Sequence, residues 1–298
     1  MTGSETERFD RVVLIFNPDP DKAPRRLARA LHAAVRQRMP GTPVHERPTH
    51  WAGHGRELAR AEAGHGRPLL VSVSGDGGFN DVVNGIMDVP GNTAVAAVMA
   101  GGNANDHHRS THRQPLLEAI VDSEVRHIDL LRLSVGEGSE CWTRLAHSYI
   151  GFGLTPLMAV GMNAGRKGVL RELAAVMRTL GGLEPFELVR SDGARAVLDS
   201  LVLANIAHMA KYGRISDSGY PADGKFEVVM LPHAGRWWLA LMTLRAVTIG
   251  LGRQPRVGRY AFRTTRGIPV QTDGELLTVP ADTAVVIESV PGALPVIG

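Results

Sequence analysis

Leu69-Leu70-Val71-Ser72-Val73-Ser74-Gly75-Asp76-Gly77-Gly78-Phe79-Asn80-Asp81-Val82-Val83-Asn84-Gly85 is the stretch whose reading decides the fold. It opens on a hydrophobic run, as in a strand covered on both faces. Phe79, Val82, Val83 and Ile86 then recur at spacings of three and four, the period of an amphipathic helix. Strand, glycine-rich turn, helix puts free backbone N–H groups and a helix N-terminus at the carboxyl end of a strand, where phosphate binds well. Gly75, Gly77 and Gly78 are the residues expected of a tight turn with positive φ. Asp76 is the discordant one. A carboxylate beside phosphate is repulsive unless a metal ion or a transferable proton is involved.

The surrounding sequence extends the pattern. Val12-Val13-Leu14-Ile15-Phe16 is a second buried strand, broken by Asn17-Pro18-Asp19-Pro20-Asp21. A helix is predicted from about Pro24, with Leu27, Leu31, Ala34 and Val35 on one face and proline in its first turn. Thr42 to Arg47 reads as a short strand, Gly53 to Ala63 as a helix, and Thr93 to Met99 as a strand running into Ala100-Gly101-Gly102-Asn103-Ala104-Asn105-Asp106. This alternation predicts an α/β domain over residues 1–130 with a doubly wound, mostly parallel sheet. After about residue 125 strands dominate: Arg126 to Val135, Thr143 to Ile150, Ala196 to Ile206, Lys225 to Leu231, Tyr260 to Thr265 and Thr283 to Val290. Helical patterns at Thr155 to Leu180 and Arg236 to Leu251 interrupt them. Residues 131–298 are therefore expected to form a β-rich, sandwich-like second domain. The last strand, about 283–298, is a candidate to pack back on the first.

Composition narrows the classes. The 298 residues are 44% hydrophobic and 21% charged, as in a globular protein with a substantial core. The one cysteine, Cys141, forms no internal disulfide, which fits a reducing, cytoplasmic setting. The polar N-terminus does not read as a secretion signal, and no apolar run reaches the ~20 residues needed to span a bilayer. The net charge of +3 is compatible with a phosphate-bearing substrate or peripheral contact with an anionic membrane. With aromatics at 5% and no arginine–aromatic interleaving, nucleic acid is not an expected partner.

With both glycine turns placed, the chain resembles the diacylglycerol-kinase catalytic family, which includes bacterial lipid kinases and sphingosine kinases and shares a fold with NAD kinases. Ser74 to Gly85 is similar to its GGDGTxNEVxNG motif, and Ala100-Gly101-Gly102-Asn103-Ala104-Asn105-Asp106-His107-His108-Arg109 to its PxGTxNDFAR motif. Thr49-His50-Trp51-Ala52-Gly53-His54-Gly55, Ile150-Gly151-Phe152-Gly153, Ala222-Asp223-Gly224-Lys225-Phe226 and Asp273-Gly274-Glu275 follow the family's remaining motifs. Three positions depart from the pattern. Gly78 and Asn103 stand where the family has threonines, and Asn17-Pro18-Asp19-Pro20-Asp21-Lys22 replaces NPxSGxxK.

The resemblance implies an ATP- and Mg2+-dependent lipid kinase, with a diacylglycerol-like acceptor by default. A soluble acceptor such as NAD, or a catalytically impaired nucleotide- or lipid-binding regulator, are the alternatives. It further implies nucleotide contacts from Asn17, Thr49, Gly75, Asp76, Gly77, Gly78, Gly102, Asn103, Asn105 and Asp106, with ATP in a cleft between the domains. Glu275 would be the general base, supported by Asp273, and Asp76 would engage the nucleotide through metal. Asp223, with main-chain oxygens of Tyr220 and Lys225, would hold a structural Mg2+. Each has a plainer reading beside it: Asp76 as a helix cap, Asp81 and Asn105-Asp106 as helix-end residues, and both Asp-Gly pairs as hairpin turns. A carboxylate at 275 has chemical sense, because a lipid hydroxyl is a poor nucleophile without a base. The Trp237-Trp238-Leu239-Ala240-Leu241-Met242 tract reads first as core packing and second as acyl-group or membrane contact. The partners expected are a lipid substrate and a peripheral membrane surface, with a homodimer left open.

Overall fold

The computed structural model describes residues 8–19, 21–153, 184–209, 213–215, 221–235, 238, 241–242, 245–246 and 248–298. The chain divides into two compact units, Met1–Ile128 with Gly292–Gly298, and Asp129–Pro291.

The first unit runs β1 (Arg11–Phe16), α1 (Ala23–Arg38), β2 (Val44–Pro48), α2 (His54–Ala63), β3 (Pro68–Ser74), α3 (Asp76–Met87), β4 (Val95–Ala100), α4 (Asp106–Thr111) and α5 (Leu116–Asp122). β1 pairs in parallel with β2 on one side and β3 on the other, and β3 pairs in parallel with β4. The tail completes the sheet, with Val296 opposite Ala96 in parallel. The apolar runs of β1 and β3 are buried almost throughout, as strands covered on both faces must be. α1 has proline in its first turn, buries Ala28, Leu31 and Val35, and ends in Arg36 and Arg38, which complement the helix dipole. The strand order 4-3-1-2 reverses between β1 and β3. Carboxyl-end loops part at such a reversal and leave a crevice where ligands bind.

α2 and α3 lie unusually close. A Cβ on Gly85 would come 2.3 Å from the Arg56 carbonyl and 2.8 Å from the Ala59 Cβ. Arg56 clamps the far end of the pair through a two-pronged bond to Asp88, at 2.7 and 2.8 Å.

The second unit contains β5 (Arg126–Val135, which starts in the first unit), a 3-10 turn (Gly138–Glu140), β6 (Trp142–Ala146), β7 (Tyr149–Gly153), β8 (Phe186–Arg190), β9 (Arg195–Ala204), β10 (His208–Met209), β11 (Gly213–Arg214), β12 (Phe226–Pro232), β13 (Arg256–Val257), β14 (Arg259–Thr264), β15 (Ile268–Thr272), β16 (Glu275–Val279) and β17 (Ala284–Val296, which ends in the first unit). Its pairings are antiparallel, and β9 is the branch point, pairing with β7, β8 and β12. Leu131, Phe152, Phe186, Leu203, Phe226, Phe262, Val270 and Ile287 share the main core, and Tyr149, Val202, Ala204, Ile215 and Val229 form a smaller cluster beside it. The fold class is thus a parallel α/β part followed by a β-rich part, as the sequence predicts.

Several local expectations change. Thr143 to Ile150 is two strands, not one, separated at His147-Ser148. α4, α5 and β8 were not anticipated: the helices have only six and seven residues, too few for a clear period. Gly75, Gly77 and Gly78 do not adopt positive φ. Gly75 is extended (φ −88°, ψ −172°) and the next two residues already belong to α3. The Thr155 to Leu180 pattern and Trp237 lie outside the described residues. Within 236–251, Trp238, Leu241, Met242, Arg245, Ala246 and Thr248 are helical. Leu241 is 56% exposed, against the expectation of core packing. Among the described residues no helix is long and apolar enough to cross a membrane.

Candidate functional site

In the first unit the candidate residues gather at the carboxyl ends of four adjacent parallel strands. Asn17 follows β1, Thr49 follows β2, Gly75 to Gly78 follow β3, and Gly102 to Asp106 follow β4. The ladder between β3 and β4 continues past both strands, since Gly101 N–H donates to the Ser74 carbonyl at 2.8 Å. That brings the two glycine turns into contact. A Cβ on Gly102 would lie 2.4 Å from the Gly75 Cα, and one on Gly75 would lie 3.1 Å from the Gly102 Cα. Glycine is therefore required here for close approach of two main chains rather than for a left-handed turn.

Asp76 locks the contact. Its Oδ2 accepts the Asp106 N–H at 3.1 Å and its Oδ1 accepts the His107 N–H at 3.0 Å. The first residue of α3 thus caps the start of α4. A carboxylate in a phosphate-type turn needed explaining, and two otherwise orphaned helix N–H groups supply the explanation. Asn105 is left-handed (φ 52°, ψ 45°). Its Oδ1 accepts the Gly102 N–H at 3.0 Å and its Nδ2 donates to the Gly102 carbonyl at 2.9 Å, so its amide closes the second loop on itself. Asp106 is buried and paired with Arg109, Oδ1 to Nη2 at 2.6 Å. Asn103 and Gly102 are exposed at the loop tip.

The loop after β1 is built by side-chain turns. Asn17 Oδ1 accepts the Asp19 N–H at 2.9 Å, and Asp19 Oδ1 accepts the Asp21 N–H at 3.0 Å. The Asp21 N–H is the main reason the Asp19 carboxyl titrates below its ordinary range, with Lys22 adding to it. Thr49 donates both its N–H (2.8 Å) and its Oγ1–H (3.3 Å) to the Phe16 carbonyl. Asn17 to Asp19 and Thr49 to Ala52 line an open cleft of about 560 Å³.

In the second unit the Asp273-Gly274-Glu275 turn has two distinct residues. Asp273 is fully buried. It accepts main-chain N–H groups of His147 (2.6 Å), Ser148 (3.2 Å) and Tyr149 (2.9 Å) and lies 3.4 Å from His147 Nε2. Burial raises its pKa, opposed by His147 and by the three N–H groups. It fixes the β6–β7 connection and makes no contact with solvent. Glu275 is half-buried and pairs with Arg144, Nε to Oε2 at 3.2 Å. Neither Arg144 nor His147 stood out in the sequence; each meets its partner across more than 120 residues and carries no local signal.

Of the set expected to hold Mg2+, the described residues are Asp223 and Lys225. Asp223 Oδ1 accepts the Lys225 N–H at 3.1 Å, and Oδ2 pairs with the Arg256 guanidinium. Tyr220 lies outside the described residues. Among the described residues no cluster of three or more His, Cys, Asp or Glu side chains is arranged to hold a metal.

Comparison with known proteins gives this geometry a context. The chain spans 97% of a Bacillus anthracis protein assigned as a diacylglycerol kinase, with 97% of its own length covered, 18% identity and a TM-score of 0.73. A further diacylglycerol kinase structure from the same organism aligns over 97% of both chains at 16% identity and a TM-score of 0.69. Yeast NADH kinase, solved with NADH, aligns over 98% of this chain and 84% of its own at 10% identity and a TM-score of 0.57. No curated protein sequence matches. Residues 11–133, the stretch that carries the four strand-end loops of the first unit, match the diacylglycerol kinase catalytic domain, and the whole chain takes the two-part fold of that kinase group.

Proposed function

We propose that this chain is an ATP-dependent kinase that transfers the γ-phosphate to a lipid hydroxyl of the diacylglycerol type. The observation that carries the reading is the pair of glycine loops at a strand-order reversal, held together by Asp76, within residues that match the diacylglycerol kinase catalytic domain. The main-chain N–H groups of Gly75 to Gly78 and of Asn103 to Asn105 cradle the phosphates, and α3 contributes its positive N-terminal end. Gly78 brings no hydroxyl, so this cradle works through N–H groups.

Asp76, whose oxygens accept the Asp106 and His107 N–H groups, is the carboxylate of this cradle and would face Mg2+ carried in with the nucleotide phosphates. Such an ion would supply neutralisation of phosphate charge. In the transfer step the acceptor oxygen attacks the γ-phosphorus in line, the bond to the β–γ bridging oxygen breaks, and Glu275 takes the hydroxyl proton. Arg144 holds the Glu275 carboxylate in one orientation, and Asp273 is a positioning residue that anchors the turn. Leu241 and Ile249, 56% and 70% exposed, offer apolar contact to a lipid surface.

A second reading, a soluble acceptor such as NADH, rests on the fold shared with yeast NADH kinase. One assay separates them: γ-labelled ATP with Mg2+, offered diacylglycerol in mixed micelles, NAD and NADH in parallel. Label in the lipid phase supports the proposal, and label only in the dinucleotide replaces it with the second reading. ATP binding without transfer to any acceptor indicates a regulator, with Asp19, Asp21 and Gly78 as the departures responsible.

A further inference from the structure

Trp51 is 57% exposed, the highest value among the large aromatic side chains of the described residues. An exposed indole held in one orientation needs a reason, and three contacts hold this one. One face stacks on the His54 imidazole, with ring centroids 3.9 Å apart and planes 17° from parallel. Its Nε1–H donates to Glu57 Oε1 at 3.3 Å. His54 is itself fixed, because its Nδ1 accepts the His50 N–H at 3.1 Å. The ring therefore has a backed face, a tethered edge and a large open area.

Trp51 is also one of the residues that line the open cleft of about 560 Å³ shared with Asn17 to Asp19 and Thr49. The cleft lies at the carboxyl ends of β1 and β2, in the same row of strand ends as the two glycine loops. A nucleoside triphosphate has a planar base at one end and phosphates at the other, and this row has an aromatic plane at one end and an N–H cradle at the other. Base stacking on an exposed aromatic is sequence-tolerant and needs only a free π-face. A ring already fixed by neighbours loses little freedom when the base arrives.

We propose that Trp51, backed by His54, is the platform on which the purine ring of the nucleotide stacks. This rests on the reading that the first unit binds a nucleoside triphosphate, and it assigns the base end of that site.

Titration calorimetry of the full chain with Mg-ATP and with Mg-tripolyphosphate, which has the phosphates but no base, tests it. Trp51→Ala is expected to weaken ATP binding by about 5- to 150-fold, the range for loss of one base–aromatic stack, and to leave tripolyphosphate binding unchanged. Trp51→Phe, which keeps a π-face, should stay within about threefold of wild type for ATP. ATP bound by Trp51→Ala as tightly as by wild type would overturn the platform. Equal weakening of both ligands would also overturn it, since that marks a merely structural role. If wild type binds neither ligand, the nucleotide reading itself fails and the platform falls with it.

Discussion

A Cβ placed on Gly78 would come within 2.6 Å of Ser74 Oγ and 2.7 Å of Ser74 Cβ. The serine at the start of the turn thus occupies the space in which a larger residue at 78 would stand. Gly78→Thr is expected to destabilise the chain by about 1–3 kcal/mol, the usual range for overpacking. Ser74→Gly in the same molecule should recover most of that loss in urea melts. A stable Gly78→Thr single variant would show that the two positions do not compete. The residue scale also carries a pH dependence. Burial, aided by the charges of His108 and Arg126, lowers the His112 imidazole from 6.5 to about 4. The unfolded chain then binds the proton first, so stability is full above 6.5 and falls as pH drops towards 4. Thermal melts between pH 7 and pH 4.5 should show a shallower decline for His112→Gln than for wild type. The sequence marks Asp76 as unusual and offers a helix cap or a metal contact for it, but not that the helix it caps is α4. Its partners are two main-chain N–H groups 30 and 31 residues on, and main-chain donors leave no trace in side-chain identity.

At the scale of elements, α3 and α4 are one device, because the first residue of one caps the other. Asp76→Ala removes two hydrogen bonds to a charged group, each worth about 1.5–3 kcal/mol. Amide hydrogen exchange at Asp106 and His107 should accelerate in that variant while the core amides of β1 and β3 keep their protection. Unchanged protection at both positions would mean that α4 stands without the cap. The long elements were legible, since β1, β3, α1 and α3 each carry many residues of one period. The β6–β7 break was not. Thr143 to Ile150 reads as continuous strand, and the carboxylate that turns it at His147-Ser148 comes from Asp273, far along the chain. Turn chemistry supplied from a distance escapes any local pattern.

At the scale of the molecule, the chain leaves its first unit near residue 128 and returns to it at 292. Leu294, Val296 and Ile297 are buried there, and burial contributes about 1.5–3 kcal/mol per side chain of this size. Deletion of residues 292–298 should lower the melting temperature of the protein by about 10 °C or more, and an unchanged melt would show that the tail adds nothing. The two-part fold was readable because the periodicity changes from alternating strand and helix to strand after strand. The candidate site was readable as motifs, but its working parts divide differently from the motif boundaries. In Asp273-Gly274-Glu275 one acid anchors a turn from inside the core, and the other stands half-exposed against Arg144. The central claim, a kinase with Glu275 as its base, is tested most directly by phosphate transfer from γ-labelled ATP to diacylglycerol, comparing wild type with Glu275→Gln. The account predicts label in the lipid with wild type and a rate at least about 100-fold lower in the variant, with ATP binding unchanged. Equal transfer by both proteins would contradict the assignment of the base, and no transfer by wild type to any alcohol acceptor would contradict the kinase itself.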